Sequence, residues 1–129
     1  MAKKPFSFIK EWCSEQQFNV AEKSAKIARE VFLQLSANSP VRTGRYEANW
    51  HIGTSVVGKI QTEQKDPSKS VTDSMIKSFI SDDYFLRNNS VVMYNTADYH
   101  INVEDIGWPR TDPYAPIRNT LSWAMNKFV

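Results

Sequence analysis

Chemistry that needs a metal would begin from His51, His100 and Cys13, the only histidines and the only cysteine in the chain. Cys13 is remote from both histidines in sequence. His100 and Glu104 are four apart, which puts them on one side of a helical turn. Two ligands do not close a zinc site, which takes three or four. The expected arrangement is therefore a hydrogen-bonded surface pair, with no metal and no cofactor. Glu63-Gln64-Lys65 has the acidic-x-lysine form used by metal-dependent nucleases. Such enzymes also need an upstream aspartate to hold Mg²⁺, and the first aspartate of this chain is Asp66. The triplet reads as a solvated charge run. Asp82-Asp83 and Glu104-Asp105 are adjacent pairs, and neighbours in sequence point apart on helices and strands. The four glycines are scattered, so no phosphate-cradling loop is present. No serine or threonine sits in a nucleophile turn. The expectation is a protein that is not an enzyme. A small metal-dependent nuclease and a regulatory binding protein are the alternatives.

The elements that would position these residues follow from composition and periodicity. A chain of 129 residues fits one domain. Hydrophobic residues are 41% and charged residues 23%, the balance of an ordinary globular core and surface. Four Trp, five Tyr and seven Phe supply large anchors for a core or an interface. Net charge is +2 with both signs interleaved, unlike the clustered positive charge of a dedicated nucleic-acid binder. A single cysteine makes no intrachain disulfide, which fits folding in a reducing cytoplasm. No apolar run reaches a membrane span, and Glu11 and Glu15 interrupt the start before it forms an export signal.

Phe18, Ala21, Ala25, Ala28, Phe32 and Leu35 recur at helical spacing and predict a long helix ended by Asn38, Ser39 and Pro40. Glu22 and Lys26 are spaced to pair on its other face. Phe8, Ile9 and Trp12 are out of phase with that stripe. They predict an N-terminal arm or short helix over 1–17, ahead of a single domain over 18–129. Trp50 to Val57 alternates as a strand. A polar stretch over 58–70 reads as a long mobile hairpin or loop, with Lys59, Glu63, Lys65 and Lys69 as its charged contact candidates. Val71 to Ile80 predicts a short amphipathic helix, and Val91 to Tyr94 a buried strand. A helical turn or two over 97–105 follows, then an irregular stretch to Tyr114. A last helix starts at Pro116 and buries Ile117, Leu121, Met125 and Phe128. The predicted fold class is α+β: a long N-terminal helix and further helices packed on a small antiparallel sheet.

The most distinctive stretch is Ser39 to Trp50, SPVRTGRYEANW. Pro40 stops the helix and Thr43-Gly44 makes a turn that tolerates positive φ. Arg45 is placed to cap the carbonyls of the helix end, and Trp50 to fill the core. This stretch resembles the Ser-Pro-Val-x-Thr-Gly-Arg turn, often followed by Asn-Trp, of the tail-completion proteins of long-tailed bacteriophages. The order that follows is similar as well: a strand ending in Asn (Val91 to Asn95), Tyr99, then Glu104-Asp105-Ile106-Gly107-Trp108. The resemblance runs from about residue 18 to 108. The chain departs from the pattern at Arg42, where the family usually has an acidic residue, and after Gly107, where a Ser- or Gly-rich segment is usual.

The resemblance implies a virion structural protein of the head–tail connector or tail-terminator kind, made and assembled in the host cytoplasm. It would form a homo-oligomeric ring, typically of six subunits, at the neck. That ring ends tail-tube growth and docks on the head connector. Its partners would be the tail tube protein and the neck proteins, with DNA only passing through the lumen and no membrane. The candidate turn and interface residues are Thr43, Gly44, Arg45, Asn49, Trp50, Tyr99, Glu104 and Trp108.

Overall fold

A computed structural model describes residues 5–41, 44–56, 61–109 and 112–128. Its organising element is α1, Pro5–Asn38, a single helix of 34 residues and so about 50 Å long. The small side chains of its stripe let other elements come close. Ala21, Ala25 and Leu35 are buried, and Ala28 and Phe32 are partly so. Glu22 and Lys26 pair at 3.1 Å on the outer face.

The helix does not break near residue 17. The expected arm is instead the N-terminal overhang of α1, with every side chain from Ile9 to Val20 exposed, Phe18 included. The change of phase there reflects the end of the body that α1 packs on, because a face with no partner has no burial to keep in register.

After α1 come α2 (Arg45–Ala48), β1 (Trp50–Gly53), α3 (Ser70–Phe79), α4 (Tyr84–Arg87), β2 (Val92–Asn95), a π-helical turn (Asn102–Ile106) and α5 (Pro116–Phe128). The strands form a two-stranded antiparallel sheet with Trp50 opposite Asn95 and Gly53 opposite Val92. The fold is thus α+β, with α3, α4 and α5 all packed on α1 and α3 also against β1.

Two strand expectations need correction. β1 ends at Gly53, where its ladder with β2 ends at Val92, and Thr54 to Val56 are not strand; Val57, the expected end, lies outside the described residues. β2 is half-buried along its length, not fully buried. A two-stranded sheet leaves each strand an edge.

Two apolar clusters make the core. One holds Leu35, Tyr46, Trp50, Ala97 and Val103, the other Ala25, Ile76, Ile80 and Tyr84, and Met93 packs against both. Arg29 of α1 reaches the end of α3. It donates to the Ile80 carbonyl at 2.6 Å and to Asp82 at 2.7 Å.

The last helix begins at Pro116 as expected, but its rotation is different. Pro116 and Thr120 are buried, whereas Ile117, Leu121, Met125 and Phe128 are 37–63% exposed. Three polar tethers set that rotation. The Ile117 amide donates to Glu104 Oε1 at 2.6 Å, Asn38 Nδ2 donates to Thr120 Oγ1 at 3.0 Å, and Lys127 pairs with Glu30 at 3.5 Å.

Candidate functional site

The corner between α1 and β1 is built upward from Gly44. Its φ of 85° lies in the left-handed region, open to glycine with little cost. A Cβ there would stand 2.3 Å from the Pro67 nitrogen, so the close approach of residues 66–67 also requires glycine. The Gly44 carbonyl accepts from the Ala48 amide at 3.0 Å, starting α2, and from the Asp66 amide at 2.8 Å. Thr43 and Lys59 lie outside the described residues.

Asn49 is buried and holds two segments at once. Its Oδ1 accepts from the Thr62 amide at 2.8 Å and from Thr96 Oγ1 at 3.1 Å. Its Nδ2 donates to the Arg45 carbonyl at 2.8 Å and to the Thr62 carbonyl at 3.1 Å. All four amide-group positions of one side chain are thereby used. Trp50, 3% exposed, donates from Nε1 to Ser39 Oγ at 3.0 Å, and Ser39 Oγ donates to the Leu35 carbonyl at 2.8 Å. The strand is thus keyed to the last turn of α1.

Tyr46 packs edge-on against Trp50, with ring centroids 5.6 Å apart, and lies 6.1 Å from Tyr99. Asn95 Nδ2 donates to the Tyr46 carbonyl at 2.9 Å. Burial, then the charges of Glu104 and Glu47, push the Tyr46 hydroxyl well above its ordinary range. Burial also raises Tyr99, against the opposing pull of Arg45.

Arg45 does not cap the end of α1. Its guanidinium reaches Gln61 at 2.8 Å, Glu63 at 3.1 Å and Asp98 at 3.6 Å, and stands 5.3 Å from the centre of the Tyr99 ring. It joins the loop after β1 to the turn after β2. The helix end is capped instead by Lys69, whose Nζ donates to the carbonyls of Ser36, Ala37 and Ser39, the last at 2.8 Å. Lys69 itself has φ of 65°, a strained position for a side chain of its size.

The described part of the polar loop, 61–69, is fastened at several points. Asn49 holds Thr62, Arg45 holds Gln61 and Glu63, and Asp66 is buried. Asp66 Oδ2 accepts from the Thr72 amide at 3.0 Å and from Thr72 Oγ1 at 3.1 Å. A carboxylate there satisfies free amides at the start of α3 and faces the positive end of its dipole. Lys65 stays exposed.

Beneath this loop lies Glu47, which is fully buried. Its Oε1 accepts from Ser36 Oγ, and its Oε2 has no partner among the described residues. Burial raises its pKa, opposed by the Ser36 hydrogen bond and the nearby Lys69 ammonium. Sequence reasoning missed Glu47, Asp66 and the capping role of Lys69. The available signal was Asp66-Pro67 just ahead of a helix, a spacing that offers an N-terminal carboxylate.

The second block is divided. Tyr99 belongs to the corner. Glu104 holds the start of α5 through Ile117, and its Oε2 has no partner among the described residues. His100 Nδ1 bonds the Ala97 carbonyl at 2.7 Å instead, so the expected His100–Glu104 pair does not form. His51 Nε2 is 2.8 Å from Thr96 Oγ1. Trp108 is partly exposed and packs edge-on with Tyr114 at 6.4 Å, apart from the corner. Among the described residues, no group of three or more His, Cys, Asp or Glu is placed to hold a metal ion. None of the described helices is long and apolar enough to cross a membrane.

What this arrangement can do is hold a shape and present a charged rim. Arg45, Glu63 and Asp98 make one mixed-charge edge, with the two carboxylates 80% and 62% exposed. Set against protein-family models, curated proteins and solved structures, the chain matches none of them.

Proposed function

We propose that this chain is a structural subunit of a tailed-bacteriophage virion, acting at the head–tail junction to complete the tail and dock it to the head connector. The observation that carries the reading is the meeting of the two resembling segments. Ser39–Trp50 and Asn95–Tyr99 are distant in sequence, yet Asn95 bonds the Tyr46 carbonyl and the Arg45 guanidinium lies over Tyr99. Residues that share only a sequence pattern thus serve one corner with an aromatic base and a charged rim. A rim of both signs suits docking between unlike surfaces. On this reading the subunits form a closed ring, with the tail tube protein and neck proteins as partners and DNA only passing through the lumen.

The nuclease alternative is weakened by the placement of Glu63, which pairs with Arg45, while Lys65 points to solvent. The test is made on particles: quantitative mass spectrometry of purified virions, with antibody-gold labelling of the chain. A few copies per particle at the head–tail junction is the expected result, and absence from virions overturns the reading. In a complementation assay, Arg45→Ala is expected to impair particle assembly while leaving the isolated chain folded.

A further inference from the structure

Three helices meet on the hydroxyl of Ser36. This residue is 1% exposed and lies near the end of α1. Its Oγ bonds Glu47 Oε1 of α2 and stands 3.4 Å from Asp73 Oδ1 of α3. Its carbonyl accepts from the Lys69 ammonium. A serine hydroxyl carries one hydrogen, and an ionised carboxylate only accepts. One hydrogen cannot serve two carboxylates, so with both ionised one of the two contacts has no proton in it.

Burial decides which carboxyl holds the missing proton. Glu47 is 0% exposed, and its Oε2 has no partner among the described residues. A full charge there would be dry and poorly paired, which is costly. Asp73 is only partly buried. As a neutral acid, Glu47 donates to Ser36 Oγ, and Ser36 donates onward to Asp73. Every contact then contains a hydrogen. Burial raises the Glu47 pKa, and Asp66 adds to the rise, against the pull of Ser36, Lys69 and Thr72.

The groups that face Glu47 come from each element around it. The loop supplies Asp66 and Lys69, and α3 supplies Asp73 through Ser36. On its own helix Tyr46, raised first by burial and then by Glu104, is raised further by Glu47. Ionising Glu47 draws the Ser36 hydrogen back from Asp73 and puts a further carboxylate beside Asp66 and Asp73. Water relieves that charge only where the cover lifts. The cover is the loop and the start of α3, held by the Thr72 amide on Asp66 at 3.0 Å and the Asp73 amide on the Lys69 carbonyl at 2.9 Å.

We propose that Glu47, Ser36 and Asp73 form a proton-held latch: the proton on Glu47 ties α1, α2 and α3 together, and its loss as pH rises frees the start of α3 and the loop 61–69 from α1. Gln61 and Glu63 lie on that loop and bond Arg45, so the state of the latch passes to the charged rim. The latch follows from the donor count and the burial, and is the same whether or not the chain is a virion subunit.

The test is a pH series on the full chain by NMR, reading the side-chain carboxyl carbons and the hydrogen exchange of backbone amides. The Glu47 carboxyl is expected to titrate above its ordinary value of 4.5. The protection of the Thr72 and Asp73 amides, corrected for the intrinsic pH dependence of exchange, should fall with the same midpoint. One proton gives a fall of at most about tenfold per pH unit. Asp73→Asn removes a charge that keeps the proton on Glu47, and should move the midpoint to lower pH. Glu47→Gln keeps a donor toward Ser36 at every pH, and should leave the protection of both amides level across the series. Circular dichroism checks that each variant keeps its helices, and the wild-type titration and Asp73→Asn decide the matter if Glu47→Gln fails to fold. A Glu47 that titrates at or below 4.5, a midpoint unmoved by Asp73→Asn, or the same fall in protection in Glu47→Gln overturns the proposal. The virion test is separate: a chain absent from virions overturns the virion reading alone, and a Glu47 that ionises like a free carboxyl overturns the latch alone.

Discussion

Replacing Lys69 by Met should reveal how much of the fold depends on one ammonium. The substitution keeps the apolar stem and removes the charge. Three carbonyls at the end of α1 and just beyond it, those of Ser36, Ala37 and Ser39, then lose their shared donor. A hydrogen bond to a charged group contributes roughly 1.5–3 kcal/mol, and a cation at a helix C-terminus roughly 0.3–1 kcal/mol. Because one half-buried ammonium serves three acceptors and partly exposed carbonyls regain water, the terms do not add in full. A loss of about 2–3 kcal/mol is expected. Urea denaturation followed by tryptophan fluorescence at neutral pH measures it. With a slope of about 1–3 kcal/mol/M for a chain of this size, the midpoint should fall by about 1 M at an unchanged slope. Lys65→Met is the control, since Lys65 is exposed, and should stay within about 0.5 kcal/mol of wild type. If Lys69→Met and Lys65→Met behave alike, the ammonium is solvated and the capping argument fails.

Glu47→Gln tests the buried carboxyl. Its pKa is raised above 4.5 by burial, so the folded state keeps the proton to higher pH than the unfolded state. The contribution is full below about pH 4.5 and is lost as pH rises through the folded value, at no more than about 1.4 kcal/mol per pH unit. The variant should flatten that decline across a pH series of denaturation curves, and an unchanged profile would refute a buried charge. Trp50→Ala should destabilise by about 3–5 kcal/mol through the cavity. Trp50→Phe should lose only about 1–2 kcal/mol with the bond to Ser39, and equal losses in the two variants would contradict the packing. Gly44→Ala forces a φ of 85° on a residue with a Cβ, at about 1–2 kcal/mol, before the clash with Pro67. A thermal or urea loss below about 1 kcal/mol would mean that residues 66–67 do not press on the turn.

What was legible in the sequence was what local spacing controls. Ala21, Ala25 and Leu35 sit where the period of three and four puts them, and α5 begins at Pro116 because a missing amide costs nothing at a helix start. The overhang falls out of phase because periodicity reports burial, and every side chain from Ile9 to Val20 is exposed. The rotation of α5 was misread for the opposite reason. Its sequence favours burying Leu121, but Glu104, Asn38 and Glu30 hold it with Thr120 inward, and those partners come from elsewhere in the chain. At the corner, Gly44 and Trp50 could be assigned from their own chemistry. Arg45 and Lys69 could not, because which cation reaches the end of α1 depends on the path of the loop after β1.

That path explains why the two cations divide the work as they do. Gly44 turns the chain into α2, and Arg45 at the start of that helix lies on the side of the loop, away from the end of α1. The same turn presents the Gly44 carbonyl to the Asp66 amide, which draws residues 66–69 back toward α1. Lys69 then arrives beside the free carbonyls that Arg45 has left. The left-handed backbone at Lys69 is consistent with this geometry: it aims the side chain at α1 while the next residue begins α3 under the Asp66 carboxylate. One glycine thus bears on the position of both the adjacent Arg45 and the distant Lys69. The charged rim at Arg45 and the closed end of α1 are consequences of a single turn.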